Sequence, residues 1–88
     1  MKYKVIIREK AEKQLNKLDN SIKLKIMRYI KRNLNETDNP KKFGKALRYN
    51  LKGFWRYRVE NYRIIAEIND SEITIFILEV EHRSKIYL

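Results

Sequence analysis

The chain has 88 residues, 43% hydrophobic and 36% charged, with a formal net charge of +10, which predicts one globular domain over residues 1–88 with a modest core and no room for a second. It contains no cysteine, which excludes disulfide frameworks, thiolate zinc sites and cysteine nucleophiles and fits a reducing, cytoplasmic setting. The basic excess favours polyanionic partners, since each neutralised phosphate releases condensed counterions, yet charge alone weighs nucleic acid and everything else about evenly.

Tyr3 to Ile7 is an apolar, β-branched run that predicts a first strand, far short of a signal h-region or a membrane span. Within Arg8 to Leu18, the residues Ala11, Leu15 and Leu18 recur at helical spacing. Asp19, Asn20 and Ser21 break that pattern and offer N-cap oxygens to a second helix, whose inner face is Ile22, Ile26, Met27, Ile30 and Leu34. The two helices are expected to form a hairpin. Asn35 to Gly44 gathers Asn, Asp, Thr and the sole proline, Pro40, and reads as a loop. Three strand-like runs follow, Phe54 to Val59, Tyr62 to Ile68 and Glu72 to Val80, separated by Glu60-Asn61 and Asn69-Asp70-Ser71. The tail from Glu81 to Leu88 fits a short helical turn or an extended end. The predicted fold class is α+β: an N-terminal strand, a two-helix hairpin and a three-stranded antiparallel meander, with the helices packed on one sheet face.

Side chains alternate along a strand, so Trp55, Tyr57 and Val59 share one face of the first meander strand while Arg56 and Arg58 share the other. In the next strand Tyr62, Ile64, Ala66 and Ile68 form the matching apolar face, leaving Arg63, Ile65 and Glu67 opposite. With Glu60-Asn61 as the two central residues of a tight turn, Val59 faces Tyr62 and Arg58 lies across from Arg63. Opposed like charges cost a few tenths to about 1 kcal/mol, a cost an intervening anion such as phosphate would relieve. Solvated edge charges that discourage aggregation are the plainer explanation. Between Lys41 and Arg63, however, the basic residues Lys41, Lys42, Lys45, Arg48, Lys52, Arg56, Arg58 and Arg63 meet a single acid, Glu60, whereas a solvated face normally mixes both signs. Lys45, Arg48 and Lys52 are therefore candidate RNA contacts. Of the aromatics that interleave with nearby arginines, Trp55, Tyr57 and Tyr62 fall on the inner face, so Phe54, Tyr49 and Tyr87 are the candidates for stacking on a base.

The ending Val80-Glu81-His82-Arg83-Ser84-Lys85-Ile86-Tyr87-Leu88 places Arg83 and Tyr87 one turn apart if it is helical. Tyr87 and Leu88 could equally just pack the chain end on the sheet. His82 is the only histidine, and a lone histidine is more often structural than catalytic.

The whole chain resembles the RelE/ParE toxin superfamily. The resemblance lies in the element order, the segment Lys45-Ala46-Leu47-Arg48, the hairpin Trp55-Arg56-Tyr57-Arg58-Val59 followed by Tyr62-Arg63-Ile64-Ile65, and the ending His82-Arg83-Ser84-Lys85-Ile86-Tyr87. RelE-type members are ribosome-dependent endoribonucleases neutralised by a cognate antitoxin; ParE-type members poison DNA gyrase. The RelE pattern implies a catalytic set of Arg56, Arg58, Arg63, Arg83 and Tyr87, with His82 as a substitute for Arg83. That pattern has lysines where this chain has Arg56 and Arg58, which do not readily lose a proton, and its interval between final arginine and tyrosine is longer.

Metal-independent RNA cleavage needs the ribose 2′-hydroxyl deprotonated, the pentacovalent phosphate stabilised and the departing 5′-oxygen protonated. The sequence shows no carboxylate or histidine cluster for a two-metal route, so the expectation is no metal and no cofactor. Arg58 and Arg63 would brace the non-bridging oxygens, and Arg56 and Arg83 the phosphate or the leaving oxygen. Tyr87 would stack on the nucleotide or act as base if cations lowered its pKa, with His82 as the alternative proton carrier. The resemblance further implies an acidic, RelB-like antitoxin in a hetero-oligomer, with ribosome and mRNA as the other partners and no membrane. A domain this small buries only about 60% of its unfolded surface, so such a partner can add stability. A gyrase-binding toxin and a non-cleaving RNA-binding module are the alternatives.

Overall fold

The elements β1 (Lys4–Ile7), α1 (Glu9–Asn16), α2 (Asn20–Tyr29), β2 (Lys45–Ala46), β3 (Phe54–Val59), β4 (Tyr62–Asn69) and β5 (Thr74–His82) follow in order in the computed structural model, which describes residues 1–47 and 53–85. The strands form a five-stranded sheet in the order β1-β5-β4-β3-β2. β1 runs parallel to β5, and the other neighbours are antiparallel. α1 lies against β5 and α2 against β3.

Alternation along the strands and the helical stripes meet in one core. Ala11 and Leu15 of α1, Ile26 of α2, Ile30, Leu34, Tyr57, Val59, Ile64, Ala66, Ile75, Ile77 and Val80 form it, with Val5, Ile7, Trp55 and Tyr62 packed at its margin. Of the predicted inner faces of the first two meander strands, Trp55, Tyr57, Val59, Tyr62, Ile64 and Ala66 belong to this core or its margin, while Ile68, and Ile65 on the other face, are buried outside it. Asp19 stands at the N-cap of α2 with extended backbone, but its carboxylate makes no cap hydrogen bond. Capping is worth about 1 kcal/mol, and burying one Leu or Ile about 1.5–3 kcal/mol, so the apolar stripe, not the predicted cap, holds this helix. Its last turn, Ile30–Leu34, is π-helical, closed by the Asn35 N–H donating to the Ile30 carbonyl at 2.8 Å.

Three features differ from the sequence expectation. Lys45–Ala46 is a strand, β2, paired with β3 as Lys45 to Arg56 and Ala46 to Trp55. The last meander strand starts at Thr74 instead of Glu72, because the Asn69 side chain closes a turn over the Glu72 N–H at 2.9 Å and Ile73 takes a left-handed φ of 52°. That strand continues to His82, with a bulge at Leu78: Ile65 pairs with Glu79 but Ala66 with Ile77. The tail turns into a short 3₁₀ segment, Arg83–Lys85.

The 35–44 loop is fixed on the sheet by Tyr57. This fully buried side chain donates its hydroxyl hydrogen bond to the Pro40 carbonyl. A Cβ on Gly44 would lie 2.8 Å from Tyr57 Cε1, so the ring packs where only glycine leaves room.

Candidate nucleic-acid interface

Arg56 and Arg58 leave β3 on the face opposite Tyr57, and Arg63 leaves β4 on that same outer face. The two-residue Glu60-Asn61 turn sets the register, with Val59 opposite Tyr62 and Arg58 directly opposite Arg63. Glu60 takes φ 55° in that turn and its carboxylate meets Lys25 at 3.2 Å. The Arg83 N–H donates to the Asn61 carbonyl at 2.8 Å, which ties the tail to the hairpin tip and brings Arg83 to the same cluster.

Arg63 also has an acid across from it, because Glu81 of β5 is its register partner. Glu81 does not neutralise it. The Glu81 carboxylate accepts a hydrogen bond from the Gln14 amide at 2.7 Å, and the same Gln14 side chain accepts the Val80 N–H at 2.7 Å, closing the β5 edge that β1 leaves open. Among the described residues, no ion pair involves Arg56, Arg58, Arg63 or Arg83, and Arg63 Nε is buried without a hydrogen-bond partner. Burial of its guanidinium, followed by repulsion from Arg56, Arg58 and Arg83, pushes the Arg63 pKa below the ordinary arginine value. A buried donor without a partner is destabilising, more so on a charged group, and an anion with several acceptor oxygens would supply the missing acceptor. A cavity of about 160 Å³ opens beside the cluster, lined by Phe43, Lys45, Arg56 and Arg58.

A family model described as ParE toxin of type II toxin-antitoxin system, parDE, matches residues 5–87. The toxin RelG of Mycobacterium tuberculosis is 33% identical over 87 residues, covering 99% of this chain and 98% of RelG. The chain belongs to the RelE/ParE superfamily of type II toxins. Its fold matches the RelBE2 toxin-antitoxin complex of M. tuberculosis with a TM-score of 0.83 and 31% identity, covering 94% of this chain and 100% of that one. The archaeal RelE-RelB complex of Pyrococcus horikoshii matches with a TM-score of 0.75 at 24% identity over 98% and 100% of the two chains, a likeness of fold.

In this RelE/ParE toxin the structure gathers Arg56, Arg58, Arg63 and Arg83 with Lys45, and it does not bring His82 to them. His82 pairs with Tyr62 on the inner, helix-facing side, where their rings meet edge to face at 5.3 Å. Its Nδ1 is held by Ser84, with Oγ at 2.9 Å and the Ser84 N–H at 3.3 Å, and it lines a separate cavity of about 780 Å³ with Lys10 and Gln14 of α1 and Lys17 just after it. Arg48, Lys52, Tyr49 and Tyr87 lie outside the described residues. Phe54 is half-buried and pairs with Glu67, at the far end of β3 from Arg58.

Phe43 is the residue that sequence reasoning missed. The signal for it was present, an aromatic bracketed by lysines in Lys41-Lys42-Phe43-Gly44-Lys45, but the segment precedes the strands from which the face was derived. No described helix is long and apolar enough to cross a membrane.

Proposed function

We propose that this toxin is an endoribonuclease that cuts mRNA on the ribosome and thereby inhibits translation, by attack of the ribose 2′-hydroxyl on the adjacent phosphorus. The observation that carries this reading is Arg63: a guanidinium with a buried Nε that has no hydrogen-bond partner among the described residues, opposite Arg58 in register and, among those residues, in no ion pair. Such a fork suits the non-bridging oxygens of a phosphate whose charge grows as the pentacovalent state forms. Arg58 and Arg63 brace those oxygens, while Arg56 and Arg83 meet the phosphate or the departing 5′-oxygen. Guanidiniums hold their protons, so these four groups act by charge. The 2′-hydroxyl gives its proton to solvent as its oxygen bonds phosphorus, the bond to the 5′-oxygen breaks and that oxygen takes a proton from solvent, leaving a 2′,3′-cyclic phosphate and a 5′-hydroxyl. Tyr87 is the proposed side chain for stacking on the nucleotide.

The proposed partner for regulation is an acidic, RelB-like antitoxin that covers the basic face, forming a hetero-oligomer. The RelBE complexes among its structural relatives and the charge of +10 support it. The second reading, a toxin that inhibits DNA gyrase, is favoured by the ParE description of the matching family model. Incubation with programmed ribosomes, followed by mapping of new RNA 5′ ends, tests the first. Defined new ends are expected. Intact message together with inhibited gyrase supercoiling would replace it with the second.

A further inference from the structure

Phe43 is 52% exposed and is not among the side chains packed on the hydrophobic core. A single exposed aromatic needs no explanation by itself. Its surroundings distinguish it, because it lines a cavity whose other walls are Lys45, Arg56 and Arg58, all cationic, and the Lys42 ammonium lies 5.3 Å from its ring centroid. The backbone that carries the ring is anchored on both sides. Tyr57 binds the Pro40 carbonyl on one side of it and packs on Gly44 on the other, and the Gly44 N–H returns to the Lys41 carbonyl at 3.3 Å. Lys45 is then fixed by its pairing with Arg56. A flat apolar face carried on an anchored loop beside cations matches a nucleotide, which offers a flat base and an anionic phosphate close together.

We infer that Phe43 is a base-stacking residue: it carries a nucleobase of single-stranded RNA next to the phosphate held by Arg56 and Arg58. This rests on the RNA-cleaving reading and adds a subsite to it. An acidic peptide would satisfy the cations but has no planar group to use the ring, which is why RNA is the assigned ligand. The loop contributes binding through Phe43, and Tyr57 and Gly44 act only by positioning it.

The test uses the full chain and two kinds of six-nucleotide ribo-oligonucleotide, an oligoadenylate series with 2-aminopurine at each position in turn and one oligonucleotide with an abasic site at the responsive position. The parent protein is expected to quench 2-aminopurine at one position and to bind that oligonucleotide more tightly than the abasic one. Phe43→Leu keeps the apolar bulk and is expected to lose the quenching, to bind the base-bearing oligonucleotide at least about five-fold more weakly, the lower end for one lost stack, and to bind the abasic one like the parent. Phe43→Trp restores both. If Phe43→Leu keeps the parent's preference for the base, or weakens only the binding of an acidic polypeptide, the stacking assignment is wrong while the RNA reading stands. If the parent binds neither oligonucleotide, or binds both equally, the stacking assignment is likewise wrong, while the RNA-cleaving reading stands or falls separately on the mapping of new RNA 5′ ends from programmed ribosomes.

Discussion

Arg63 owes its lowered pKa to burial and to the arginines around it, and the acid in register with it forms no ion pair with it among the described residues. Glu81 stands across from it and would ordinarily pair with it, but Gln14 holds that carboxylate at 2.7 Å. The facing acid is thus held by an amide from α1, an arrangement invisible in the strand pattern. The Arg58–Arg63 opposition, by contrast, was legible because a two-residue turn fixes which residues face each other. His82 shows the limit of reading a tail by composition: a histidine beside Arg83 suggests a proton carrier, while strand parity puts it opposite Tyr62 on the helix side. On this geometry Arg63→Ala is expected to slow cleavage by about 10²–10³-fold, the range for losing one preorganised donor to a developing charge. His82→Ala is expected to leave the rate close to that of the parent. Single-turnover cleavage on programmed ribosomes measures both; a large loss in His82→Ala would restore tail-based proton transfer.

Tyr57 joins two segments that the sequence treats as unrelated, the 35–44 loop and β3. Its place on the inner face followed from alternation, but its role as the loop's anchor did not, since neither a hydroxyl reaching the Pro40 carbonyl nor a ring resting on Gly44 leaves a periodic trace. β2 escaped for a similar reason, as two residues cannot display a period of two. The bulge at Leu78 and the π-helical turn at Ile30–Leu34 are likewise packing solutions; the pattern identified Ile30 and Leu34 as buried without saying how the backbone closes. Burial, with a smaller contribution from Tyr29, raises the Tyr57 pKa well above the ordinary tyrosine value of 10.0. The folded form thus keeps the phenol neutral while the unfolded chain ionises it. Stability from this group is complete below pH 10 and is lost as pH rises from there toward the folded-state value, by up to about 1.4 kcal/mol per pH unit. Tyr57→Phe is expected to be less stable at neutral pH by about 1–3 kcal/mol, since the Pro40 carbonyl loses its buried donor, and to show a shallower decline above pH 10. Urea unfolding at a series of pH values distinguishes this from simple loss of packing, which would shift the curve without flattening it.

The molecule as a whole carries its charge unevenly and at a cost. Glu79 meets Lys10 at 2.8 Å, Glu81 meets Gln14 and Glu60 in the hairpin turn meets Lys25, and among the described residues the arginines at the hairpin end of the sheet form no ion pair. In a domain of 88 residues, whose stability is the small residue of large opposing terms, such repulsion is a sizeable fraction of the whole, and any anion that binds the folded cluster shifts the equilibrium toward the native state. The same property that favours RNA or an acidic antitoxin therefore makes the free chain less stable than its packing allows. Arg58→Gln removes one of the opposed charges and is expected to raise the unfolding midpoint at low ionic strength by about 2–5 °C. Inorganic phosphate should stabilise the parent more than this variant, whereas chloride at matched ionic strength, which screens without bridging two guanidiniums, should narrow the gap between them less. Thermal unfolding of both proteins across the two salt series decides the matter: equal gains from phosphate would mean that the Arg58–Arg63 pair is not an anion site, and that its conflict of charge is relieved by solvent alone.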